Sequence, residues 1–184
     1  MRENRHGLRN TEAGPLPGHG AITAIPLTSR LATITSLMGA TNFLLFFHSL
    51  LRYAVIIGLL LSIFFAWRGY IFKRPILIGE RRITIITVVL CHVQLVLGAI
   101  LYGLLFESFK FMQGAHQRFW KFEHIGTMVV AIVLITLGRS LAKRAQEESR
   151  KHLMVGIFFL LGLLLILWAI PWPHTPMGLG KRWL

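Results

Sequence analysis

Between Ile83 and Phe106 the chain runs for 24 residues without a Lys, Arg, Asp or Glu. A helix needs about 20 mainly apolar residues to cross the hydrocarbon core of a bilayer. Inside that core a backbone must satisfy its own N–H and C=O groups, which a helix does. Three more runs have the same character. Thr41 to Trp67 contains one formal charge, Arg52. Trp120 to Leu141 begins with Lys121 and Glu123 and is then uncharged from His124 to Leu137. Leu153 to Ile170 is closed by Pro171-Trp172-Pro173 and is near the short limit, so its helix is expected to begin earlier. The fold class that follows is all-α, a polytopic membrane protein built as a bundle of four transmembrane helices. A polar N-terminal arm, 1–40, precedes the membrane domain, 41–173, and a tail, 174–184, follows it. Leu31 to Ala40 is uncharged but rich in Thr and Ser, either a first turn of helix or a short interfacial piece. Leu31 to Trp67 is too long for one straight crossing, and a break is expected around Gly39.

Composition agrees. Hydrophobic residues make up 54% of the chain and charged ones 15%, against about 25% charged in a soluble domain. The net charge of +13 would suggest nucleic acid in a soluble protein. Here the charges sit between apolar runs, where they mark topology and meet lipid headgroups, so nucleic-acid binding is set aside. The first loop carries Arg68, Lys73, Arg74, Arg81 and Arg82, and the third carries Arg139, Lys143, Arg144, Arg150 and Lys151. By the positive-inside rule those loops face the cytoplasm of a bacterial inner membrane, and both termini face the periplasm. Trp67 and Tyr70 then mark one interface, and Tyr102, Trp120, Trp168 and Trp172 the other. Met1 to Gly20 lacks the apolar run of a secretory signal peptide. The single cysteine, Cys91, excludes an intramolecular disulfide, and Cys91-His92 lacks the second cysteine of a covalent haem motif.

A rise of about 1.5 Å per residue places each polar side chain at a depth. His48 lies roughly 10 Å below the outer surface and Arg52 roughly 16 Å, four residues apart on one face. His124 lies about 6 Å deep, beside Glu123 and one turn above Met128. His92 lies about 20 Å from the outer surface, too deep to join the other two histidines at one object. Polar groups at such depth are costly in lipid and should face the bundle interior or reach the headgroups. Two neutral imidazoles at similar depth on different helices are what a protein contributes to a b-type haem, one nitrogen on each side of the iron. His48 and His124 are the candidate ligands, with Arg52 or Arg118 to neutralise a propionate and Met128 to pack on the ring. Ala99 and Gly103 share a face with His92 and would leave an open track for a flat group.

Two other readings of the same residues stay open. The histidines, with Gln94, can tie helices together in a cofactor-free accessory subunit, His92 finding Arg52, Ser62 or Thr136. Alternatively the outer cluster binds the ring carbonyl of a quinone. Glu123 either answers the positive end of its helix or pairs with Arg52 and orients a histidine. His152, beside Arg150 and Lys151, is expected on the inner basic surface.

Four stretches carry a resemblance. They are HSLLRY at His48 to Tyr53, HVQLVLGAILY at His92 to Tyr102, EHIGTMVVAIVLITLGRSLAKR at Glu123 to Arg144, and ILWAIPWP at Ile166 to Pro173. In these the chain resembles small four-helix membrane proteins of the Bacteroidetes labelled cytochrome b-like. The second stretch is also similar to the H-x-Q-x-x-x-G segments of haem A synthase helices. The resemblance implies a membrane b-type cytochrome with His48, His92 and His124 as its functional histidines. A quinol or a larger respiratory complex would be the redox partner.

Overall fold

The computed structural model describes residues 27–178, apart from the side chains at 27, 30, 33 and 34. The arm before residue 27 and the last six residues of the tail lie outside the described residues. Four long helices account for almost all of the rest. They are α1 (Leu27–Ile71), α2 (Ile78–Lys110), α3 (Gly114–Arg144) and α4 (Glu148–Ala169). All four are long and apolar enough to cross a membrane, and no strand occurs among the described residues.

The short links make neighbours antiparallel. α1 packs on α2 and α4, and α3 packs on α2 and α4, so α1 and α3 face each other across a diagonal. The α3–α4 seam is the closest and the α2–α3 seam the loosest of the four. Glycine explains the close one. A Cβ on Gly138 would collide with Phe158, and one on Gly162 would meet Ile135 Cγ1 at 2.5 Å. Lipid offers no hydrophobic drive between helices, and small residues let the backbones approach until van der Waals packing takes over. The core at that seam is Ala131, Ile135 and Phe159, all fully buried.

The seam between α1 and α2 is polar. Glu80, Thr84, Thr87, Cys91, Gln94 and Gly98 recur along α2 at alternating spacings of four and three, which keeps one face turned to the same neighbour. Thr87 sits over Gly58 and within 3.3 Å of the Ser62 hydroxyl. Gln94 and Gly98 meet His48.

Two expectations are corrected here. α1 runs unbroken through Gly39, whose surroundings are open. Thr35 and Thr41 return their hydroxyls to the carbonyls of Leu31 and Leu37, at 2.9 and 2.8 Å. Those polar side chains are therefore satisfied within the helix and need no break. With 45 residues, α1 is about 67 Å long and overshoots the roughly 40–45 Å of a whole bilayer. The second correction is His152, which is 3% exposed and so no part of a solvated basic surface. The loop after α1 folds over the start of α4. His152 Nε2 lies 3.0 Å from the Arg74 carbonyl, the Ile76 N–H donates to Glu148, and the His152 ring fills the space that Gly69 leaves. Glu80 completes this clasp by pairing with Arg74 and accepting the Leu77 N–H at the first turn of α2.

Candidate functional site

A cavity of about 420 Å³ opens inside the bundle, in the half away from the basic loops. α1 contributes His48 and Arg52, α2 Cys91, Gln94, Gly98 and Tyr102, α3 Trp120, His124 and Met128, α4 Ile166, and the turn after α4 Ile170 and Pro171. The remaining wall is largely aliphatic and aromatic, with a few polar groups converging, as small-molecule and cofactor sites have. Along α2 it runs from Cys91 to Phe109, which is about 27 Å of helix.

The closing prolines aim one of the histidines. In a continuing helix the Ala169 carbonyl would accept the N–H of residue 173, and the Leu167 carbonyl that of residue 171. Both of those residues are proline and have no N–H. Each freed carbonyl is taken by a side chain instead. His124 Nδ1 lies 2.8 Å from the Ala169 oxygen, and Trp172 Nε1 lies 3.0 Å from the Leu167 oxygen. A carbonyl only accepts, so Nδ1 of His124 carries the proton, and in the neutral ring Nε2 keeps its lone pair.

His124 also follows a turn of π-helix, Phe119–Glu123, where its own N–H reaches back to the Phe119 carbonyl. Such a turn weakens the local ladder and marks functional positions in helices. Tyr102 supports it by donating its hydroxyl to the Lys121 carbonyl at 3.1 Å. Trp120 lies with its ring centre 5.6 Å from that of His124 and stacks on Phe109 at 6.3 Å, bridging α2 and α3 at the mouth.

His48 is seated differently. Its ring lies against α2 at Gly98, where a Cβ would stand 3.1 Å from His48 Cε1. One turn earlier Gln94 donates its amide N–H to the His48 carbonyl at 2.8 Å. His48 Nδ1 and Gln94 Oε1 are both buried without a hydrogen-bond partner. Arg52, one turn further along α1, donates to the Tyr53 hydroxyl at 3.2 Å and lies 6.0 Å from the Trp172 ring.

No protein family, characterised protein or solved structure matches this chain.

The structure brings His48, Arg52 and His124 to one cavity and leaves two expected members outside it. Glu123 pairs with Arg118 and not with Arg52. The π-turn places residues five apart over one another, which puts these two on the same outward side. His92 points away from the cavity, toward α3. Its Nδ1 is 2.8 Å from the Val88 carbonyl and its Nε2 is 3.4 Å from the Thr136 hydroxyl. Cys91 takes the cavity side at that level, so the track lies along Cys91, Gln94 and Gly98 and not along His92 and Gly103; Ala99 still reaches the lining. Gln94 and Gly98 had a signal in the sequence, the polar and small stripe of α2. Among the described residues no group of three or more His, Cys, Asp or Glu is placed to hold a bare metal ion. His48 and His124 are the two imidazoles that line the cavity.

Proposed function

We propose that this protein is a b-type cytochrome of a bacterial inner membrane, passing electrons through a haem held by His48 and His124. One observation carries the reading: imidazoles from diagonally opposed helices line a single apolar cavity, and the ring of one is tied through Nδ1, which in the neutral ring puts the lone pair on Nε2. A ligating histidine characteristically donates its other ring N–H to a carbonyl or carboxylate, which fixes the tautomer and raises its basicity. The cavity volume falls within the range of about 300–1,000 Å³ typical of cofactor sites. Arg52 would neutralise a propionate, with Met128, Ile132 and Trp120 against the macrocycle. Bound there, the haem would supply one-electron chemistry. The chain holds and orients it, keeps water from its faces and sets the polarity around it.

The cavity lies in the half of the bundle opposite the basic loops, so the haem would sit toward the periplasm, with both termini on that side. A quinol or a respiratory complex is the partner that position favours, and the lipid headgroups would meet the basic loops. A second reading, a quinone site, draws on the length of the cavity along α2 and on the unpartnered acceptor of Gln94.

The test is the visible spectrum of detergent-purified protein expressed with ample haem, before and after dithionite. Sharp reduced α and Soret bands are expected. They should vanish in His48→Ala and His124→Ala and persist in His92→Ala. A colourless wild type would overturn the proposal in favour of a cofactor-free accessory subunit or a quinone site.

A further inference from the structure

We propose that Gln94 is the positioning residue of His48. Its amide grips the histidine at the backbone and closes on the ring at Nδ1, holding the Nδ1–H tautomer and presenting Nε2 to the cavity. The role toward iron rests on the haem reading above; the tautomer does not. Gln94 donates Nε2–H to the His48 carbonyl at 2.8 Å, which fixes which arm of the amide is nitrogen. The other arm, Oε1, can only accept. It is buried without a hydrogen-bond partner, and so is His48 Nδ1, a ring nitrogen that can donate to it.

These two atoms belong to residues already joined across the α1–α2 seam. Gly98, one turn from Gln94, lets the ring lie against α2, where a side chain would hold it off. No hydrogen bond joins the two atoms as they stand. An Nδ1–H turned toward the amide gives both a partner, whereas a bare Nδ1 leaves both without one in a low-dielectric interior. His124 already has its Nδ1 engaged, by the Ala169 carbonyl. Both imidazoles would then offer Nε2 to the space between them.

Nitrogen NMR of the full chain in detergent, with ¹⁵N-labelled histidine rings and no haem added, tests the tautomer directly. His48 is expected to be protonated at Nδ1 in the wild type and in Gln94→Glu, and to shift toward protonation at Nε2 in Gln94→Leu. His124 should keep its Nδ1–H in all three, which confirms that each variant is folded. On haem-loaded protein the reduction potential should fall in Gln94→Glu and rise in Gln94→Leu, because a stronger acceptor makes the ligand more basic. A His48 that is bare at Nδ1 in the wild type, or unmoved by Gln94→Leu, overturns the inference. A protein that shows the tautomer but takes up no haem leaves Gln94 as proposed and overturns the haem reading alone.

Discussion

Pro173 shapes the candidate site without lining the cavity. By lacking an N–H it leaves the Ala169 carbonyl to His124, so a residue outside α4 orients a ring on α3. Replacing both Pro171 and Pro173 by Ala lets α4 continue past Ile170 and restores a competing donor. Haem affinity should drop about 10-fold or more, the loss seen when an outer partner of a ligand is removed, as measured by transfer of haem to an apo-globin acceptor. Gly98 acts by its missing side chain. A branched residue there would occupy the seat of the His48 ring. Gly98→Val should therefore abolish the haem bands while leaving helix content by circular dichroism unchanged. Retained bands would mean that His48 is not a ligand. At this scale the sequence announced His48 and His124 by their depth. It could not say which nitrogen of either ring is engaged, because that depends on an atom contributed by another helix.

Among the helices, the tight seam and the polar seam are built from different parts. Gly162 on α4 admits Ile135 and the Ala131 carbonyl, and Gly162→Leu should cost about 1–3 kcal/mol through overpacking, read as a lower midpoint in SDS unfolding. At the other end, Glu80→Ala leaves the Arg74 guanidinium largely buried with its carboxylate gone. Breaking a buried pair costs on the order of 3 kcal/mol. The same unfolding measurement should show it, with haem uptake unaffected because the clasp lies at the far end from the cavity.

The number of the crossings and their places along the chain could be read from the apolar runs alone. The inward face of α2 could not. The helix is apolar nearly all round, so no contrast between faces marks an interior, and His92 and Cys91 differ by only about 100° of rotation. The stripe from Glu80 to Gly98 was the better guide, since polar residues inside lipid seek the bundle interior. α1 shows the opposite error. Its uncharged length suggested a break around Gly39, but the hydroxyls of Thr35 and Thr41 close on their own helix and the backbone is continuous.

Seen as a whole, the molecule is a four-helix cycle with its basic loops at one end and its cavity toward the other. Both described ends of the membrane domain emerge on the cavity side, since four crossings return the chain to the side where it began. Cysteines placed at Gln113 or Thr175 should react with a membrane-impermeant thiol reagent in intact spheroplasts. Cysteines at Lys73 or Gln146 should react only after lysis, and the reverse pattern would invert the topology.

The sequence by itself determined the class of solvent, the number of crossings and the order of the polar residues along each of them. These depend only on the chain's own composition and on a fixed rise per residue. Tertiary structure alone decided which of those residues share a cavity. Sharing is a matter of helix rotation and of atoms such as the Ala169 carbonyl, whose freedom to bind becomes clear only once the partner that approaches it is in place.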